Sequence, residues 1–251
     1  MVYGMAYILV IIGGLIIGSF INVIIHRLPR GESVVLPVSH CPHCKHALRI
    51  YHLIPVFSYL GLKGRCQYCR NPISLRYPLV EILSMSLFIL VLMKWGFSLA
   101  AAGGWILTIV LMNSAFIDLE HGIIPDQITY PAMIAGLLIG YFTVGIKSSL
   151  LGLIVFAGIL LLLAVVSDGG MGGGDVKLAA IIGLFCGLEG ALLAFIISAI
   201  TGGMWALYLL LVKQAGRKAM VKFGPFLAWG AFISYNYADE IIFYYLQLFL
   251  M

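Results

Sequence analysis

Long uninterrupted apolar segments are the feature that most limits what this chain can fold into. A helix needs about 20 apolar residues to cross the hydrocarbon core of a bilayer. Only 10% of the residues are charged, against about 25% in ordinary soluble domains. The sequence therefore predicts an all-α polytopic membrane protein with about eight transmembrane helices, at residues 5–25, 77–93, 96–117, 127–146, 148–167, 169–188, 191–212 and 223–238.

The first and the last apolar runs differ in whether they are expected to span the membrane. The first apolar run, within residues 1–25, follows no basic region and has no small-residue cleavage pattern, so we expect a retained transmembrane helix. The last run is short and is followed by Asp239 and Glu240. The aromatic tail at 241–251 is therefore expected either to complete a span or to lie in the membrane interface.

The distribution of lysine and arginine predicts the orientation. With the N-terminus outside, 13 of the 15 basic residues fall in cytoplasmic loops, and only Lys94 and Lys147 lie outside, as the positive-inside rule requires. Residues 26–76 then form a cytoplasmic insert, and the acidic loops 118–126 and 168–175 share its side. The insert has eight basic residues against one Glu, so membrane lipids are its expected partner and nucleic acid is not.

Two Cys-x-x-Cys pairs in the insert predict a metal site. CPHC at 41–44 and CQYC at 66–69 are separated by 21 residues. Four thiolates close the coordination shell of zinc, which is typical of a structural site, and a small insert needs that extra stability. Disulfides are the alternative, disfavoured by a reducing cytoplasm. The predicted zinc ligands are Cys41, Cys44, Cys66 and Cys69, while His40, His43, His46 and His52 are expected to face solvent.

Aspartates at the ends of apolar runs are candidates for chemistry, because ionisable residues at membrane depth are usually functional. Asp118 closes one run and Asp175 opens another, directly after the glycines of GGMGGGDVKLAA, which allow another backbone or a substrate close approach. Two carboxylates sharing one proton can act as base and acid in aspartic proteolysis; a proton or ion pathway uses the same pair. Asp126, after Pro125, is either a helix cap or a functional residue.

Six motifs together resemble the type IV prepilin leader peptidases, which are bifunctional peptidase/N-methyltransferases. They are GSFINVIIHRLP (18–29), the two Cys-x-x-Cys pairs, SLRYPLVE (74–81), AFIDLEHGIIPD (115–126), GMGGGDVKLAAIIG (170–183) and GPFLAWGA (224–231). The resemblance implies an N-terminal family region at 10–95, containing the zinc-ribbon-like insert, and an aspartic peptidase domain at 96–251. It implies the catalytic pair Asp118 and Asp175, with Gly172, Gly174, Lys177 and Asp126 in support.

The resemblance also implies what the protein acts on. The family cleaves prepilins or pseudopilins after a glycine at the cytoplasmic face of the bacterial inner membrane. It then methylates the new N-terminal residue with S-adenosylmethionine. A methyl-transfer site is expected near Asn22, Arg27 and Glu81, although an interhelical hydrogen bond, a headgroup anchor and an ion pair would be their ordinary roles. An ion- or proton-coupled transporter that uses Asp118 and Asp175 as relay groups is the alternative.

Overall fold

A computed structural model describes residues 2–167, 171–212 and 222–250 of the chain. Their regular elements are helices, and β-pairing within these ranges is limited to two isolated bridges in the insert. The predicted all-α fold is therefore confirmed. The helices are α1 (Val2–Arg27), α2 (Phe57–Gly61), α3 (Arg76–Trp95), α4 (Leu99–His121), α5 (Asp126–Thr143), α6 (Ile146–Val166), α7 (Gly173–Leu211) and α8 (Gly224–Leu250), with short 3₁₀ turns at Leu28–Arg30 and Ile50–Leu53.

Several residues used in the sequence analysis lie outside these described ranges. Asp168, in one of the two acidic loops, is among them. So are three of the basic residues that support the predicted orientation, Lys213, Arg217 and Lys218.

Five segments in the described residues are long and apolar enough to cross a membrane: Gly4–Arg30, Arg76–Trp95, Leu99–His121, Ile146–Val166 and Gly173–Leu211. The last of them covers most of two predicted spans, 169–188 and 191–212, in one helix of 39 residues. Its backbone breaks at Gly187, where φ is 68° and ψ is −173°. Glycine reaches this conformation without a Cβ clash, so the two predicted spans meet at a kink.

The final helix is longer than its apolar run. Instead of ending near residue 238, α8 continues as one helix of 27 residues to Leu250. Asp239 and Glu240 lie within it and are exposed. Charged residues here interrupt the apolar run without ending the helix.

The chain divides into two compact units, Met1–Gly96 and Phe97–Met251. In the first unit, α1 packs closely on α3 through two glycines one helical turn apart. A methyl group added to Gly14 would lie 2.7 Å from the Cα of Met85, and one added to Gly18 would lie 2.7 Å from the Cα of Glu81. Such small-residue contacts let membrane helices approach backbone to backbone.

In the second unit, α7 is held by close contacts on several sides. A methyl group on Gly183 would lie 2.3 Å from the backbone carbonyl carbon of Gly152, so α6 and α7 touch through their backbones. The Ser198 hydroxyl of α7 donates a 3.0 Å hydrogen bond to the carbonyl of Phe226 in α8. These contacts fix the axial position of α7, whose first turn carries Asp175.

Candidate active site and metal centre

Asp118 lies in the last turn of α4 and is buried, with 7% of its surface exposed. The helix ends at Gly122, which adopts a left-handed conformation with φ of 69° and donates its N–H to the Asp118 carbonyl at 2.8 Å. Glycine is the usual residue at this capping position. The cap places Asp118 one turn before the chain leaves the helix.

The start of α8 approaches the Asp118 side chain. The backbone N–H of Gly224 donates a 3.0 Å hydrogen bond to Asp118 Oδ2, and the charge of Lys222 also acts on this carboxyl group. Helix N-termini favour negative charge because their first N–H groups lack intrahelical partners. Sequence reasoning assigned neither residue to the site, although Gly224 opens the motif GPFLAWGA (224–231) and Pro225 is typical of the first turn of a helix.

Asp175 lies in the first turn of α7 and is 8% exposed. Its backbone N–H donates to the carbonyl of Gly172 at 3.0 Å. Its Oδ1 is buried and has no hydrogen-bond partner among the described residues. Buried carboxylate oxygens are normally hydrogen-bonded, so an unpartnered one is an exception of the kind found at functional sites.

The fold brings Asp118 and Asp175 together although 57 positions separate them in the sequence. Their carboxyl groups are close enough for a direct electrostatic interaction. One carboxylate is tied to a backbone N–H, and the other keeps an unpaired oxygen. This asymmetry is what a pair needs if its members are to perform different proton-transfer roles.

The glycines before Asp175 allow close packing against the loop that follows α4. A methyl group on Gly174 would lie 2.9 Å from the Cβ of Ile124. One on Gly172 would lie 3.5 Å from Asp175 Oδ2. The loop at 122–125 therefore packs directly on the turn that presents the carboxylate.

Asp126 does not cap α5. Pro125 occupies the capping position and makes no side-chain cap, so the capping hypothesis is wrong. Asp126 is instead the first helical residue and forms an ion pair with Lys177 in the first turns of α7. The Lys177 ammonium group also lies 5.3 Å from the centre of the Tyr130 ring. The pair links the start of α5 to the helix that carries Asp175, at a partly exposed position.

The four cysteines of the insert come together. Their sulfur atoms all lie within 4.8 Å of one another, and Cys41 Sγ is 3.8 Å from Cys69 Sγ. Four thiolates at 2.3 Å from a tetrahedral zinc ion would be about 3.8 Å apart. The set fits a metal ion.

Two matching turns build this cluster. Each Cys-x-x-Cys is followed by a basic residue with positive φ, Lys45 at 59° and Arg70 at 60°. The N–H of Lys45 donates to the carbonyl of Cys41, and that of Arg70 to the carbonyl of Cys66. The insert therefore contains two copies of the same Cys-x-x-Cys turn, or knuckle, and each copy supplies two sulfur atoms to the cluster.

His52 is buried, contrary to the expectation that the insert histidines face solvent. It is 8% exposed, and its ring is hydrogen-bonded to Gln67 and to the backbone N–H of Arg49. The expectation failed because four cysteines already complete a metal site, so the sequence shows no reason for a histidine to be buried. In the structure, the His52 ring joins two segments of the insert.

Asn22, Arg27 and Glu81 are all buried in the first unit. Asn22 donates a 3.1 Å hydrogen bond from α1 to the carbonyl of Tyr77 in α3. Arg27 donates to the carbonyl of Ser33 at 3.1 Å, so it is not a simple headgroup anchor. Glu81 accepts a 2.7 Å hydrogen bond from the backbone N–H of Val56.

A buried pair of carboxylates in a polytopic helical chain, together with a four-cysteine cluster, defines a membrane protein with the type of site that aspartic proteases use. Residues 12–95 match the model of the bacterial peptidase A24 N-terminal domain, and residues 105–207 match that of the type IV leader peptidase family. The chain belongs to the family of prepilin leader peptidase/N-methyltransferases.

Relatives with that name match nearly end to end. The protein of Aeromonas hydrophila is 35% identical over 280 residues, covering 96% of this chain and 94% of the relative. The protein of Stutzerimonas stutzeri is 33% identical over 264 residues, covering 93% and 91%. That of Pseudomonas putida is 33% identical over 257 residues, covering 91% and 89%. No solved structure matches the chain.

Proposed function

We propose that this protein is a membrane aspartic endopeptidase that removes the leader of type IV prepilins or pseudopilins and N-methylates the new N-terminus. The observation that carries the proposal is the buried, interacting pair Asp118 and Asp175. Membership of the peptidase/N-methyltransferase family supports both activities. The substrate bond follows a glycine and lies at the membrane edge of an apolar helix.

In the proposed hydrolysis, one aspartate of the pair is protonated and the other is charged. The charged carboxylate takes a proton from a water molecule as the water oxygen attacks the scissile carbonyl carbon. The protonated partner gives its proton to the carbonyl oxygen, which forms a tetrahedral intermediate. Collapse of the intermediate breaks the C–N bond, and a proton passes to the departing amine. The Gly224 N–H orients Asp118 throughout.

The second activity needs a methyl donor. When bound, S-adenosylmethionine supplies a methyl group on a positively charged sulfur. That methyl group would be transferred to the neutral amine of the cleaved substrate, and the electron pair of the broken carbon–sulfur bond would remain on sulfur. The amine nitrogen then loses a proton. In this proposal, the chain's task is to hold the amine and to exclude water, using buried polar groups of the first unit.

We propose zinc as the ion of the four-cysteine cluster. All four ligands are sulfur, and such a closed set leaves no position for a substrate, so the ion stabilises the insert and takes no part in the chemistry. The ion would hold together residues 41–69, a segment whose regular elements are limited to a 3₁₀ turn and the five-residue α2.

We propose that the insert and both aspartates face the cytoplasm of a multi-pass inner-membrane protein. The charge asymmetry supports this orientation, and the acidic loops would attract a basic leader. Single cysteines at Glu32 and Lys147 test it. A membrane-impermeant maleimide applied to intact spheroplasts should label Lys147→Cys and spare Glu32→Cys until the cells are opened. The reverse pattern would contradict the orientation.

The transporter hypothesis has no support from the comparisons, in which the matched relatives are peptidase/N-methyltransferases. Purified protein in detergent, with no ion gradient, separates the two activities. The protein is incubated with a peptide that contains a prepilin leader and the apolar helix that follows it, with and without S-adenosylmethionine. The masses of the products are measured by mass spectrometry. Loss of the leader plus a methyl increment is expected. An intact peptide with folded enzyme would contradict the proposal, and Asp175→Asn is the control.

A further inference from the structure

A cavity of about 270 Å³ lies within the insert, and its lining includes Gln67 of the second Cys-x-x-Cys pair. Its lining includes two aromatic residues, Tyr51 and Phe57, and two polar residues, His52 and Gln67. Tyr51 is 48% exposed and Phe57 is 68% exposed. Aromatic rings left this open beside a cavity offer flat faces to a planar ligand.

The backbone directly before Phe57 of the cavity wall is held in a strained conformation. Val56, directly before Phe57, has φ of 63° and ψ of −52°. A β-branched residue avoids this region unless surrounding contacts impose it. Here the Val56 N–H donates a 2.7 Å hydrogen bond to the buried carboxylate of Glu81. Strain maintained by a specific buried partner is a mark of functional sites.

The polar side of the cavity has a defined direction of hydrogen bonding. The backbone N–H of Arg49 donates to Nδ1 of His52 at 3.2 Å, so Nδ1 is the acceptor of the neutral ring. Nε2 then carries the hydrogen and donates it to Oε1 of Gln67. This arrangement leaves the Gln67 NH₂ group as a donor for a ligand. A planar heterocycle with acceptor nitrogens matches aromatic faces combined with such a donor.

We propose that this cavity binds the adenosine part of S-adenosylmethionine, with the adenine ring against Phe57 and its edge hydrogen-bonded to Gln67. The proposal rests on the methyltransferase activity proposed above. The cavity is slightly smaller than the pockets that enclose a whole ligand of this kind, so the methionine end and the sulfonium lie at its open side. The neighbouring Tyr51 ring is suited to a positively charged sulfur, because aromatic faces attract cations.

The test uses the full-length protein in detergent and measures S-adenosylmethionine binding by titration calorimetry, next to peptide cleavage and methylation. Phe57→Ala should raise the dissociation constant about tenfold or more, because stacking of the adenine is lost. Gln67→Ala should raise it by a smaller factor. Both variants should keep peptide cleavage and metal content unchanged. Leu60→Ala is the matched control, since Leu60 is 64% exposed on the same helix, α2.

The outcomes separate this proposal from the function on which it rests. If wild type binds the donor and methylates the peptide while Phe57→Ala and Gln67→Ala bind it equally well, the donor site is elsewhere and the function stands. In that case the exposed aromatic face serves lipid contact. If wild type cleaves but neither binds the donor nor methylates, the methyltransferase activity and this site both fall. Gln67→Ala keeps the test decisive if Phe57→Ala is unstable.

Discussion

Gly224 and Asp118, 106 positions apart in the sequence, are joined by a 3.0 Å hydrogen bond from the backbone N–H of the glycine to Oδ2 of the aspartate. The same glycine lies so close that a methyl group on it would be 2.8 Å from that oxygen. The contact therefore fixes the carboxylate and also limits residue 224 to glycine.

The first prediction concerns this contact. Gly224→Ala should displace the Asp118 carboxylate and lower the cleavage rate by about 100-fold, since a displacement near 1 Å at a reacting group has effects of that size. Cleavage of a prepilin peptide in detergent measures it. Gly203→Ala is the control, because a methyl group there meets nothing within 4 Å. Equal rates for the two variants would contradict the proposed positioning.

The second prediction concerns the aspartates themselves. Asp118→Asn and Asp175→Asn should each abolish cleavage, because an amide can neither accept the water proton nor exchange the shared one. Methyl transfer to a peptide that has already been cleaved should continue in both variants. Wild-type cleavage by either variant, at normal expression and helix content, would remove that residue from the proposed pair.

The third prediction concerns the ion pair between Asp126 and Lys177. The Asp126 side chain is 50% exposed and that of Lys177 is 35% exposed, and pairs of this kind contribute about 0–1 kcal/mol. Asp126→Asn should therefore reduce cleavage by less than about fivefold. The double variant Asp126→Lys, Lys177→Asp should restore the rate if the pair acts by linking α5 to α7. Complete loss in Asp126→Asn with normal folding would assign Asp126 a direct part in catalysis.

The fourth prediction concerns the metal. Cys41→Ser should lose bound zinc by elemental analysis and lower the unfolding temperature of the insert, because a thiolate ligand is removed from a fold that depends on the ion. Cys186→Ala is the control, since this cysteine lies in α7 outside the cluster. Unchanged metal content in Cys41→Ser would contradict a four-thiolate site.

Sequence alone identified the features that depend on composition and local pattern. The apolar runs predicted helices, and Asp118 and Asp175 were recognisable because charged residues at the ends of such runs are rare. The partner of Asp118 was not predictable, since a backbone N–H leaves no trace in residue identity and Gly224 is distant in sequence. The sequence predicted separate spans at 169–188 and 191–212, but it did not predict that one helix joins them across a kink at Gly187, because the pattern of apolar residues does not show a glycine's backbone conformation.

The structure of the insert could also be predicted from the sequence only in part. The cysteine spacing predicted a cluster of four thiolates, and the sulfur atoms do lie together. The buried contact between His52 and Gln67 was not expected, because it depends on how the second knuckle folds back on the 3₁₀ turn. The catalytic and metal-binding roles assigned to these residues are predictions that the experiments above address.

The backbone contact between Gly152 and Gly183 has a mechanical consequence. Two helices that touch through their backbones cannot slide past each other until they separate. The helix α6 and the first half of α7, which carries Asp175, therefore behave as one rigid unit. On the Asp118 side, α4 is joined to the start of α8 by the Gly224 hydrogen bond to Asp118 and, just before α8, by Lys222 at the Leu119 carbonyl.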